Sequence, residues 1–369
     1  MIVTRLRFVA LAVGLLGLAA CGGTEQAGGS APAKLVNFYN WSDYIDDRSL
    51  PDFTAETGIR VRYDVYDSND VLEGKLLAGN TGYDVVVPTG NYFELQRTTG
   101  IYQPLDKSKL ANYGNLDPDI LAKIEPLDPG NLHAVPYAWG TTGLGLDVAK
   151  ISARIPDAPL DSWELLFDPE HARRLADCGI TLLDAPDEID EIVLNYLGYP
   201  PASADPRQLE EAMALVAEIR PYVRYFHSSQ YIDDFANGEV CLVMGWSGDL
   251  YQAMNDARQG LDLRYVIPRE GTVLWFDLMA VPADAPNPDN AHALIDYLLR
   301  PEVAARITNK TFFANGNLAS LPLVDAEIRD DPAIYPPPEV MERLFPNPVK
   351  EPSYVRSRNR LWTRVKTGL

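Results

Sequence analysis

The chain has 369 residues, 46% hydrophobic and 23% charged, an ordinary globular make-up. That length suits two lobes, since single cores stop growing near ~250–300 residues. With 52 acidic against 32 basic residues the formal charge is −20, which argues against nucleic acid and fits a cationic ligand, although simple solubility explains a negative total as well.

The amino terminus opens with Arg5 and Arg7, followed by an apolar run over 8–19 that is too short to span a membrane as a mature helix. The run closes on Leu18-Ala19-Ala20-Cys21-Gly22, which resembles the lipobox of bacterial lipoproteins. That resemblance implies a signal peptide at 1–20, lipid on Cys21 and a periplasmic protein anchored to a membrane. Residues 22–33 are small and polar, a tether. With Cys21 taken by lipid, Cys178 and Cys241 are left as an even pair in an oxidising compartment. A Cys178–Cys241 disulfide is expected, with two free buried thiols as the alternative.

From Lys34 onward strands and helices alternate. Residues 34–39 form a strand, a helix ends near Thr57-Gly58 where glycine favours a stop, and 59–65 alternates as a second strand. Residues 68–78 form a helix capped by Ser68, with Val71, Leu72, Leu76 and Leu77 on its apolar face. Residues 83–87 have the composition of a buried parallel strand. This is a doubly wound α/β half. A short helix at 118–123 precedes a strand at 133–139, which runs through Gly140-Thr141-Thr142-Gly143 into 144–147. These glycines fit a crossover between lobes or, weakly, a phosphate loop, because no GxGxxG or Gly-Lys-Ser/Thr follows. The second lobe continues with a helix from Ser162, a strand at 179–183, helices at 189–197, 206–219 and 230–237, and a strand at 240–244. Strands at 263–268 and 273–281, helices at 290–299 and 301–307, and a basic closing helix at 356–366 complete the chain.

Five strand exits carry an aromatic, an acid or both: Trp41/Tyr44, Thr89/Tyr92, Asp187/Glu188, Trp246/Asp249 and Trp275/Asp277. Any one of them alone is equally a core aromatic or a helix cap. Together they point to one lined cleft, since ligands of open α/β sheets sit beyond the carboxyl ends of the strands. Buried carboxylates are costly unless they meet a cation or hydrogen bonds. A diamine meets that demand, with its methylenes on indole faces and its ammonium groups on carboxylates.

The segments Asn40-Trp41-Ser42-Asp43-Tyr44-Ile45, Asp67-Ser68-Asn69-Asp70-Val71-Leu72-Glu73-Gly74-Lys75-Leu76, Arg224-Tyr225-Phe226-His227-Ser228-Ser229-Gln230-Tyr231 and Gly245-Trp246-Ser247-Gly248-Asp249 closely resemble periplasmic polyamine-binding proteins, the solute receptors of putrescine/spermidine ABC transporters, most of all the putrescine-type branch. The resemblance implies the two-lobed type II periplasmic-binding-protein fold, α/β, with the ligand in the interlobe cleft. Lobe 1 is expected at 34–139 with 262–312 and lobe 2 at 140–261 with 313–369. Carried over by position, Trp41, Ser42, Tyr44 and Thr89 line one wall, Thr89 standing where the family has serine. Glu188 takes one amine, Asp249 and Asp277 hold the other, and Trp246 and Trp275 flank the chain. The family's cysteine pair matches Cys178 and Cys241. Trp275 is the spermidine-type residue, Ala185 matches the putrescine type, and Phe313 stands where the family has Tyr, so putrescine and spermidine stay level as cargo. The implied partners are the permease subunits of an ABC importer and, through the lipid, a membrane; a monomer is expected. No cofactor, metal or nucleic acid is implied. Against an enzyme, the histidines at 133, 171, 227 and 292 are scattered and no nucleophile signature occurs. His227 beside Ser228 reads as a structural histidine. A receptor for another cationic solute (agmatine, cadaverine) and a polyamine sensor remain as alternatives.

Overall fold

The computed structural model describes residues 34–368, so the expected signal peptide, Cys21 and the tether lie outside the described residues. Ten strands form one sheet: β1 (Leu35–Trp41), β2 (Arg60–Tyr66), β3 (Val85–Val86), β4 (Ala134–Asp147), β5 (Ile180–Leu182), β6 (Val223–Phe226), β7 (Leu242–Trp246), β8 (Leu263–Val266), β9 (Val273–Ala280) and β10 (Phe345–Pro346). Their order is β2-β1-β3-β9-β4-β7-β5-β6, with β10 on β9 and β8 on β4. Helices α1 (Ser49–Thr57), α2 (Asn69–Ala78), α3 (Gly90–Thr98) and α4 (Pro118–Ile124) precede β4. Between β4 and β8 come α5 (Val148–Arg154), α6 (Glu164–Phe167), α7 (Pro169–Leu175), α8 (Pro186–Tyr196), α9 (Pro206–Ile219), α10 (Tyr231–Ala236) and α11 (Ser247–Asn255). After β9 follow α12 (Pro288–Leu298), α13 (Pro301–Thr311), α14 (Ala326–Arg329), α15 (Pro338–Met341) and α16 (Pro352–Thr367).

The alternation of strand and helix gives parallel pairs at both ends of the sheet, β1 with β2 and β3, and β5 with β6 and β7. Between them β9 and β4 run antiparallel. Every residue of β4 is buried. Its first stretch, Ala134 to Thr141, pairs with β9, and its second, Thr142 to Leu146, pairs with β7. One strand therefore belongs to two half-sheets, which gives the two-lobed form.

Gly140 and Gly143 sit inside this strand, so they form a crossover and the phosphate-loop reading is overturned. Packing explains the glycines. A Cβ on Gly140 would fall 2.8 Å from the Trp275 ring, and one on Gly143 2.5 Å from the Val266 carbonyl oxygen.

Other expectations are refined. The strand read at 83–87 shrinks to Val85–Val86, and the helix from Ser162 to one turn at Glu164–Phe167. On α2 only Leu72 and Leu76, one turn apart, face the core. Val71 and Leu77 lie beside that stripe and are exposed. β8 pairs with the second stretch of β4, and single bridges tie Ala314 to Trp139 and Asn317 to Leu116. The Cys178–Cys241 disulfide is formed, linking a residue two positions before β5 to the one just before β7.

Candidate functional site

The site is assembled where strands end. Trp41 closes β1, and its Nε1 donates to the Val87 carbonyl at 2.9 Å. Asp43 then takes a φ of 53°, in the left-handed region that non-glycine residues rarely enter, and the chain turns sharply. Tyr44 is thereby aimed back across the strand ends, and its hydroxyl donates to Asp277 Oδ2 at 2.8 Å. Thr89, at the exit of β3, donates to Asp277 Oδ1 at 2.7 Å while accepting from Asn69 Nδ2 at 2.9 Å. Trp275 and Asp277 lie inside β9 and not, as expected from the sequence, at its exit; two apart, they share a face of the sheet as period-two geometry requires.

The other half-sheet supplies the opposite wall. β7 runs into α11, with Trp246 before its first residue and Asp249 in its first turn, where the helix dipole favours negative charge. Asp249 accepts from the Tyr231 hydroxyl at 2.6 Å. α8 starts on Pro186, preset for a helix start, and places Glu188 in its first turn. Glu188 accepts from Trp246 Nε1 at 2.9 Å and from the Thr142 hydroxyl. Phe313 follows Phe312, whose φ of 59° ends α13. Its ring lies so close to Gly248 that a Cβ there would meet it at 2.5 Å. Trp41 meets Trp246 edge-on at 5.7 Å between ring centres, and Phe313 meets Trp275 at 5.4 Å and Tyr44 at 4.9 Å.

All ten residues expected from the sequence (Trp41, Ser42, Tyr44, Thr89, Glu188, Trp246, Asp249, Trp275, Asp277 and Phe313) line this one cavity, which holds about 530 Å³ of space including its mouth. Asp67, Asn69, Ser228 and Ile232 line it as well and were missed. The first two follow β2 and Ser228 follows β6, so the strand-exit argument could have found them. Nothing in the sequence marks Ile232. Two exit residues lie elsewhere. Asp187 accepts from Asn91 and Asn347 Nδ2, both at 3.2 Å, and the Tyr92 hydroxyl donates to Asp70 at 3.0 Å.

The electrostatics of the cavity are one-sided. Asp277, Asp249 and Glu188 are 5%, 7% and 8% exposed, and no Lys, Arg or His is among the lining residues. Burial pushes the carboxyls of Asp249 and Asp277 up to about 7, only partly offset by their hydroxyl donors. Burial and then the charge of Asp187 raise Glu188 to about 8. The cavity is thus an apolar-walled space with three strained acids, and a cation entering it relieves each of them.

The histidines are engaged elsewhere. His227 Nδ1 accepts from the Ser229 and Gln230 amides, both at 3.1 Å, as a structural histidine does. No group of His, Cys, Asp or Glu able to hold a metal occurs among the described residues, and no described helix is long and apolar enough to cross a membrane.

A two-lobed α/β chain with a cavity at the carboxyl ends of its strands has the architecture that binds a small solute between its lobes. The family model described as bacterial extracellular solute-binding protein matches residues 50–336, and the chain belongs to that family. It is 49% identical to the putrescine-binding periplasmic protein PotF of Escherichia coli K12, over 92% of this chain and 93% of that protein. It is 48% identical to the putrescine-binding periplasmic protein SpuD of Pseudomonas aeruginosa, over 96% and 98%. Among solved structures it is similar to the spermidine/putrescine ABC transporter substrate-binding protein PotD of Streptococcus pneumoniae, with a TM-score of 0.74 and 31% identity over 90% of this chain and 99% of that one.

Proposed function

We propose that this protein captures a small polyamine, putrescine or spermidine, and delivers it unchanged to an ABC importer. The observation that carries this reading is the set of three buried carboxylates around an aromatic-walled cavity without a basic residue. Asp249 and Asp277 receive one ammonium and Glu188 the other, while indole faces pack the methylenes. The names of the relatives support the same cargo class. Lobe 1 is centred on β1, β2, β3 and β9, and lobe 2 on β5, β6 and β7, with β4 shared. In this reading the mature protein is a monomer, lipid-anchored through Cys21 in the periplasm, and docks on the importer's permease subunits.

Thermal denaturation of ligand-stripped protein with putrescine, cadaverine, agmatine, spermidine and spermine tests the reading. Cargo at ~100 times its Kd stabilises by about 2.7 kcal/mol, a clear rise in Tm. No rise with any amine overturns the polyamine reading.

A further inference from the structure

Beyond the deep cavity the cleft continues through two spaces that share walls with it. The first passes Glu188, Thr89 and Trp246, which line the deep cavity too, and reaches Asp70, Asp184 and Asn347. Asn347 is 7% exposed, and its Oδ1 is buried with no partner among the described residues. The second space is lined again by Asp70 and Asp184, and also by His227 and by Trp362 and Lys366 of α16. There the Lys366 ammonium donates to both oxygens of Asp184, at 2.8 and 2.7 Å, and lies 5.9 Å from the centre of the Trp362 ring. Trp362 Nε1 donates to the same carboxylate at 2.7 Å, and Phe226 packs edge-on against the indole at 4.8 Å. A primary ammonium on a carboxylate beside an indole is the same chemistry that the deep cavity offers an amine.

Resting on the polyamine reading above, we propose that Lys366 determines cargo length: its ammonium occupies the outer seat on Asp184 that the terminal amine of a longer polyamine would take. Asp184 and Glu188 are four residues apart, so their Cα atoms lie within ~14 Å of each other. A tri- or tetraamine anchored at Glu188 extends along this passage; a diamine ends before it. The tethered ammonium both fills the seat and repels a second cation, which favours diamines. The Lys366 and Asp184 side chains are 36% and 38% exposed, so the effect is modest and screened by salt.

Isothermal titration of the purified protein and its K366M, K366Q and K366R variants with putrescine, spermidine and spermine tests this. K366M and K366Q should each bind spermidine and spermine roughly fivefold more tightly than wild type, with putrescine within about twofold and K366R matching wild type. Adding D184N to K366M should abolish the gain. An unchanged ratio of spermine to putrescine affinity in both neutral variants, with putrescine still bound, overturns the role of Lys366 and leaves the receptor reading intact. Failure of wild type to bind any of the three amines overturns both.

Discussion

Helix α8 carries buried acids toward two different surroundings. Glu188 faces the cavity with Asp249 and Asp277, where no basic side chain shares the lining. Two and three residues later Asp190 and Glu191 are fully buried against α16, where Arg358, itself 5% exposed, lies 3.9 Å from Asp190. Burial raises both acids there too, Glu191 further through the charges of Asp190 and Asp187, and the charges of Arg358 and Lys350 offset the rise in part. Acids of one helix thus divide by whether the fold supplies their counter-charge. Where it does, the group is structural; where it does not, the charge is left for a ligand.

Removing the internal counter-charge should have the largest effect. Arg358→Met strands Asp190 and Glu191, and unfolding in urea should show a loss of about 3 kcal/mol. A loss below about 1 kcal/mol would place Arg358 outside the balance. Asp249→Asn and Asp277→Asn should behave in the opposite sense. Unliganded stability at pH 8 should rise by about 1 kcal/mol, because a desolvated charge disappears, while putrescine affinity measured by titration should fall about a hundredfold. Lower unliganded stability in both variants would show that these carboxylates hold the fold together.

The pH dependence follows from the same contrast. The folded, unliganded protein keeps protons on Asp249 and Asp277 up to about 7, while the unfolded chain releases them near ~4. More protons are bound to the native state in that window, so these groups make stability fall as pH rises from about 4 to 7. A dication favours the ionised form and reverses the trend. Affinity for putrescine should weaken about tenfold or more between pH 8 and pH 6, read by titration calorimetry. A flat profile would mean that neither carboxylate gives up a proton on binding. Smallest is Trp275→Phe, which should shift the ratio of spermidine to putrescine Kd about threefold through the changed aromatic wall. An unchanged ratio would remove Trp275 from cargo selection.

Much of this was legible in the sequence because the strand-exit rule is local. Trp41, Thr89, Trp246 and Asp249 each stand within a few residues of a strand end. Asp277 and Trp275 were legible from period-two spacing within β9. What escaped depends on packing between distant segments. Asp187 reads like Glu188 from sequence, yet helical rotation turns it toward Asn91 and Asn347. Val71 and Leu77 look like core residues until the narrow contact of α2 leaves them outside it. The seat of Lys366 on Asp184 joins residues 182 positions apart, and no local pattern encodes such a meeting.

The place of β9 in the sheet also sets an order of events in time. β3 is flanked by β1 and β9, and Val86 pairs with Ala280. β10, later still, pairs with the start of β9 on the same side as β3, the opposite side being taken by β4. During synthesis the first three strands therefore wait for most of the chain to emerge before their sheet can close. Contacts of such separation slow folding, because the loop must be closed before the pairing contributes anything.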